Sequence, residues 1–193
     1  MTDASLQRIE AALEKLAAAQ SELYERLARL EGSEPARAVP ARSLRERVIA
    51  FLDRFRAGEA LGELSLGAWI AVCKDSQLRG ALRTVQMREG SHARVLGERI
   101  KELGGAPRYE VPEATYNQVM AGSASLEISD ADKVRVFVER NPDPTAALAP
   151  IHALADQLDD DRETQSLLRA IAQDELATLE LFYAASQRMN RGS

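Results

Sequence analysis

Apolar residues recur every three or four positions through most of this sequence, which is the spacing that places them on one face of an α-helix. The clearest case is the segment 77–103, where Leu82, Val85, Leu96 and Ile100 lie on one such face. No segment shows the alternation of apolar and polar residues that is typical of a half-buried β-strand. The pattern therefore predicts an all-α protein.

The composition narrows the class of protein further. Of the 193 residues, 45% are hydrophobic and 28% charged, as in globular domains, and only 5% are aromatic, which indicates an aliphatic core. A net charge of -5 gives no reason to expect nucleic acid or an anionic membrane as a partner. No apolar run approaches the roughly 18–20 residues that span a bilayer, and the N-terminus does not have the pattern of a signal or transit peptide. The single cysteine, Cys73, excludes an intrachain disulfide framework. We therefore expect a cytoplasmic protein.

Residues 5–31 carry the most regular pattern in the chain. Steps of three and four alternate without error, which assigns these residues to the a and d positions of a coiled coil: Leu6, Ile9, Leu13, Leu16, Gln20, Leu23, Leu27 and Leu30. The next residues, 32–43, contain glycine, serine and two prolines and show no periodicity. We interpret 1–31 as a helix that assembles a homo-oligomer and 32–43 as a linker. The alternative is an amphipathic helix that folds back onto its own domain.

Residues 44–190 form the predicted main domain, an antiparallel four-helix bundle made of two helix pairs joined by one long crossover. Two short turns and the crossover, 106–127, separate the helices. The predicted helices are 43–73, 77–103, 129–158 and 162–189, the third interrupted by the prolines of 141–144. Three glycines in the first helix, Gly58, Gly62 and Gly67, indicate a bend or a close backbone contact, because each lowers helix propensity by about 1 kcal/mol.

Acidic residues and a histidine occupy positions where the stripes predict apolar side chains. Glu89 and His92 interrupt the stripe of the second helix, Glu175 that of the fourth, and Glu63 that of the first, with Glu59 one turn earlier as the alternative. Glu63 and Glu89 are equally distant from the first turn, so an antiparallel hairpin places them at one level. Carboxylates and imidazole bind iron, manganese and zinc. The candidate metal ligands are therefore Glu63, Glu89, His92 and Glu175.

A family resemblance accompanies these residues. The stretches LRGALRTVQMREGSHARVLGERIKELGG and LLRAIAQDELATLELFY resemble the ferritin-like superfamily of four-helix bundles, over about residues 44–187. In that superfamily each of two helix pairs typically supplies a Glu and an E-x-x-H motif to a di-iron site. The resemblance implies ligands at Glu63 (or Glu59), Glu89 and His92 in the first half.

The second half of the chain departs from the family pattern. The resemblance implies Glu175 as a ligand there, but the position of the family's histidine is Thr178, and the third helix presents no carboxylate at 145–147. The expected cofactor is therefore none or a single transition metal, with iron the metal that the resemblance favours.

Two hypotheses about function follow. In the first, the bundle has an incomplete metal site and acts as an oligomeric interaction or scaffold module. Such a module would bind another protein as its partner. Its polar core residues are then satisfied by hydrogen bonds and by arginines such as Arg56 or Arg88. In the second, the protein is a metalloprotein with iron or manganese that serves metal oxidation, storage, or oxygen or peroxide chemistry. An enzyme of that kind would be a di-iron-type oxidoreductase.

Overall fold

The computed structural model of the protein describes residues 43–191. These residues form six α-helices, numbered here in chain order: α1 (Leu44–Val72), α2 (Ser76–Glu102), α3 (Glu113–Ala124), α4 (Asp130–Arg140), α5 (Pro144–Ala155) and α6 (Arg162–Arg191). No strand occurs between residues 43 and 191, so the prediction of an all-α protein is confirmed for this part of the chain. The predicted coiled coil, 1–31, and the linker up to residue 42 lie outside the described residues.

The two long N-terminal helices begin at side-chain caps. The Glu46 N–H donates to Ser43 Oγ at 3.3 Å, and the Ser43 N–H donates to the Glu46 carboxylate at 2.8 Å, which closes the predicted capping box of α1. Asp75 caps α2 by accepting the Leu78 N–H at 2.8 Å. After α2 the chain turns at Gly104, whose φ of 70° lies in the left-handed region that glycine adopts readily.

The predicted crossover contains a helix that the sequence pattern did not indicate. This helix, α3, has no fully buried residue. It packs against α1. The backbone N–H groups of Arg108 and Tyr109 donate to Asp53 Oδ2 at 2.8 and 2.7 Å, and Asp53 is buried on α1. These two hydrogen bonds hold the start of the crossover against α1, before α3 begins.

The predicted interruption of the third helix is confirmed, and it separates α4 from α5. Asp143 accepts the Thr145 N–H at 2.9 Å and Pro144 occupies the first turn of α5, where a missing N–H breaks no helical bond. The Tyr183 hydroxyl of α6 donates to the Asn141 carbonyl. The interruption is therefore attached to α6.

Two apolar clusters form the core. The first joins α1, α2, α5 and α6 and includes Leu52, Leu96, Ile151 and Leu168. The second joins α1, α2, α4 and α6 and includes Trp69, Leu82, Val134 and Phe182. Because α4 belongs to one cluster and α5 to the other, the interruption at 141–143 falls between the two clusters.

Polar residues lie between the clusters on α1, α2 and α6. We call this set the polar layer, and it consists of Glu59, Glu89, His92, Asp174, Glu175 and Thr178. No helix in residues 43–191 has the length and apolar character that crossing a membrane requires.

Candidate metal centre

His92 connects the members of the polar layer. Its position on the buried stripe of α2 leaves the residue only 4% exposed. The ring Nδ1 lies 2.9 Å from Glu59 Oε2 and 3.4 Å from Glu175 Oε1. The other ring nitrogen, Nε2, lies 3.1 Å from Asp174 Oδ2. One imidazole of α2 is thus in contact with a carboxylate of α1 and two carboxylates of α6.

The Glu59 carboxylate lies inside the protein beside that of Glu89. Glu59 is 5% exposed, and its carboxyl group is near enough to that of Glu89 for each to affect the pKa of the other. Two neighbouring carboxyl groups can form a hydrogen bond when one of them holds a proton. A Cβ at Gly62 would collide with Glu89 Oε2. The predicted close contact is therefore confirmed at Gly62, where it leaves room for the Glu89 side chain, and at Gly67 beside Gln86, whereas a Cβ at Gly58 would have no atom within 4 Å.

The polar layer has more acidic groups than basic ones, and its pKa values reflect this excess. Burial and the Glu175 charge raise the pKa of Glu59 to about 7, although the hydrogen bond from His92 opposes them. Burial and the charges of Glu59 and Glu175 raise the pKa of Glu89 well above its ordinary value. Burial alone would lower the pKa of His92, but contacts with Glu175, Glu59 and Asp174 outweigh it and raise this pKa to about 10. Near neutral pH the layer thus holds protons that a cation can replace.

Three members of the layer form a group that can hold a metal ion. One ligand atom each from Glu59, His92 and Glu175 lies within 4.8 Å of the other two. Ligands on opposite sides of one ion are about 4.2 Å apart when each metal–ligand bond is about 2.1 Å. The separations within this group, none above 4.8 Å, are therefore close to those of ligands that share one ion.

Asp174 fixes the orientation of the imidazole in this group. When Nε2 carries the ring proton and donates it to Asp174 Oδ2, the Nδ1 lone pair is directed towards Glu59 and Glu175. A carboxylate behind a ligating histidine commonly selects the tautomer in this way. The Asp174 side chain is 50% exposed, and its second oxygen lies 4.0 Å from Arg88 Nε.

Two buried polar atoms of α6 have no hydrogen-bond partner among residues 43–191. They are Glu175 Oε1 and Thr178 Oγ1. The Nδ1 of His92 is close to Glu175 Oε1, but its nearer partner is Glu59, so the Glu175 oxygen makes only a charge contact there. Unpartnered buried polar atoms are uncommon in folded proteins, and here both lie in the polar layer.

The structure brings three of the four predicted ligands into the polar layer. His92 and Glu175 belong to the metal-holding group, and Glu89 lies next to Glu59 beside it. Glu63 is exposed, and its carboxylate Oε1 lies 2.6 Å from where a Cβ of Gly90 would be. The group contains Glu59 instead, the alternative one turn earlier.

The difference between Glu59 and Glu63 comes from the register of the α1 stripe. The buried face of α1 passes through Glu59, Leu66 and Trp69. Steps of three and four from Glu59 to Leu66 pass equally well through Gly62 or Glu63, and in the structure Gly62 is half-buried while Glu63 is exposed. Glycine gives no apolar signal, so the sequence pattern did not distinguish the two registers. Glu63 nevertheless lies opposite Glu89 and Gly90, at the level of the hairpin that the sequence predicted.

The arginines suggested as partners for the buried acids have other roles. Arg56 pairs with Asp53 at 2.9 Å and donates to the Tyr109 carbonyl at 2.8 Å, so it holds the crossover. Arg88 reaches only the outer oxygen of Asp174. Within the described part of the chain, the salt bridges of Glu59 and Glu175 are with His92. Arginine therefore does not neutralise the inner carboxylates.

Comparisons with known proteins add no family assignment. No family model, no curated protein and no solved structure matches this chain. The resemblance to the ferritin-like superfamily therefore stays a prediction from the sequence.

Proposed function

We propose that this protein is a ferritin-like helical bundle that binds one transition-metal ion through Glu59, His92 and Glu175. The observation that supports this most strongly is the convergence of three ligand atoms from three helices within 4.8 Å. Buried carboxylates are unfavourable unless a cation, a proton or a hydrogen bond compensates them. The layer has one imidazole for several carboxylates, so a divalent cation improves its charge balance.

The donor set suits iron, manganese or zinc rather than a soft metal. It has one nitrogen and two carboxylate oxygens, and it leaves coordination positions open. At such positions a bound metal acts as a Lewis acid or redox centre, which supports roles in metal oxidation, storage, or oxygen or peroxide chemistry. In this assignment Asp174 positions the imidazole, and Glu89 exchanges protons with Glu59 or completes the ligand set.

A second metal ion does not fit the same residues. The α6 position that would supply another histidine is Thr178, and the interruption at 141–143 removes the third helix from the layer. A dinuclear carboxylate site typically uses six protein ligands. The proposal is therefore limited to one ion per chain.

A metal-free interaction module is the second candidate function. The observation that favours it is the ability of the layer to hold protons, since the pKa of His92 is raised to about 10 and that of Glu59 to about 7. Protonated His92 and a proton shared by Glu59 and Glu89 neutralise part of the acidic charge without a metal.

Substitution of Glu59 by glutamine separates the two candidates, and Glu63→Gln is the matched control. Glu59→Gln keeps the side-chain shape but removes a charged ligand, so we expect Co(II) affinity to fall by about tenfold or more. The metal-free variant should be at least as stable as the wild type, because one desolvated acid is lost. Glu63→Gln should leave the affinity unchanged.

The measurements are calorimetric titration with Co(II) and elemental analysis of protein purified without a metal-affinity tag. Equal cobalt affinity in all three proteins would place the metal elsewhere, and an absence of binding in the wild type would favour the interaction module. Two tightly bound irons per chain would contradict the limit of one ion.

We also propose that residues 5–31 assemble the protein as a homo-oligomer. The test is Leu16→Asp, which introduces a charge at a d position of the heptad pattern, with Ala18→Asp at an outer position as its control. We expect Leu16→Asp to lower the mass measured by multi-angle light scattering and Ala18→Asp to leave it unchanged. Identical masses for both variants and the wild type would contradict the assignment.

A further inference from the structure

Thr178 is the member of the polar layer that the proposed metal group does not use. It is 3% exposed, and Oγ1 has no hydrogen-bond partner within residues 43–191. A helical threonine commonly bonds to the carbonyl four residues earlier, and Oγ1 does not do so here. The hydroxyl is therefore available to a molecule that the protein itself does not supply.

A second buried atom without a hydrogen-bond partner lies nearby and indicates where such a molecule would bind. Thr178 follows Glu175 by three residues on α6, so the two side chains share one face of the helix. Within residues 43–191 the other buried side-chain atom without a hydrogen bond is Glu175 Oε1, and Glu175 belongs to the metal-holding group. The free hydroxyl is therefore adjacent to the metal group, on the side of Glu175.

We propose that Thr178 binds the exchangeable ligand of the metal centre, a water molecule or a small anion. This inference rests on the proposed metal site. Three protein ligands leave positions open on the ion, and the Thr178 hydroxyl can donate a hydrogen bond to a ligand that occupies one of them.

The proposal assigns different effects to metal binding and to ligand binding. Thr178 contributes no ligand to the ion, so its replacement should not alter metal affinity. A hydrogen bond to the exchangeable ligand should alter the affinity for that ligand alone. A typical net hydrogen bond corresponds to a change of about three- to tenfold in an equilibrium constant.

The experiment uses azide as the small-anion probe and full-length protein loaded with Co(II), followed by visible absorption. Thr178→Val is nearly isosteric and replaces the hydroxyl by a methyl group, while Thr178→Ser retains the hydroxyl. We expect Thr178→Val to weaken azide binding about three- to tenfold with cobalt affinity unchanged, and Thr178→Ser to restore azide affinity to near the wild-type value. Thr178→Ala serves the same purpose if the valine variant does not fold.

Each of the other outcomes would contradict a different part of the proposal. Unchanged azide affinity in the valine or alanine variant, with cobalt bound, would reject the role of Thr178 and leave the metal site intact. Failure of the cobalt-loaded wild type to bind azide would reject the exchangeable position itself. Failure of the wild type to bind cobalt would reject the proposed metal site and this inference with it.

Discussion

Replacing His92 by alanine is expected to abolish metal retention and to lower the stability of the metal-free protein. The imidazole supplies the only nitrogen ligand of the group and contacts Glu59, Asp174 and Glu175. Without it these acids lose their cationic partner and a cavity forms at the centre of the layer. Removal of one partner from a buried ion pair costs about 3–5 kcal/mol, and we expect a decrease of this size in the free energy of unfolding.

The matched control for this variant is His152→Ala. His152 is the other histidine of the chain and lies exposed on α5, so its loss should leave metal content and stability almost unchanged. Urea unfolding in the presence of a chelator measures the free energy of unfolding of the metal-free protein, and elemental analysis measures its metal content as purified. Full metal retention by His92→Ala, or equal stability of the two variants, would contradict the central role of His92.

The helices could be predicted from the sequence where an apolar stripe meets a core. The segments that became α1, α2 and α6 have such stripes, and the prolines at 142 and 144 mark the interruption between α4 and α5. The helix α3 could not be found in this way, because none of its residues is fully buried. Its place against α1 depends on Asp53 and the N–H groups of the crossover, which are a tertiary contact.

The site could be predicted in part, for a related reason. His92, Glu89 and Glu175 interrupt apolar stripes, and that interruption is visible in the sequence. Asp174 is half exposed and lies beside the stripe of α6, so only the distance to His92 Nε2 reveals its role. The missing partner of Thr178 Oγ1 is likewise a property of the folded chain.

The same acids should give the metal-free protein a stability that falls as pH rises. The pKa of Glu59 is raised from 4.5 to about 7, so its favourable contribution to folding is complete below pH 4.5 and is lost between pH 4.5 and 7. The pKa of His92 is raised from 6.5 to about 10, so its contribution is complete below pH 6.5 and is lost between pH 6.5 and 10. Both contributions to the free energy of unfolding therefore decrease as the pH rises.

The charged groups that face Glu59 and His92 support this direction. They are Glu89, Glu175 and Asp174, with Arg88 at the edge next to Asp174. Each proton that leaves the layer adds to an existing excess of acidic charge. We expect the free energy of unfolding attributable to the layer to fall by several kcal/mol between pH 5 and 9.

Metal binding should depend on pH in the opposite direction. The ion competes with protons for Glu59 and His92, so its affinity should rise as pH rises. The increase in melting temperature on adding Co(II) is therefore expected to be larger at pH 8 than at pH 6. This opposition distinguishes a metal site from a polar layer that only stores protons, for which cobalt would leave the melting temperature unchanged at both pH values.

Glu59→Gln provides the control for the pH dependence. Glutamine does not titrate, so the free energy of unfolding of the variant should no longer decrease between pH 4.5 and 7. The decrease at higher pH, which is due to His92, should remain. The difference between wild type and variant removes the contribution of all carboxylates outside the layer. Chemical unfolding with a chelator at several pH values gives both curves. Identical slopes for the two proteins between pH 5 and 7 would show that Glu59 holds no extra proton in the folded state.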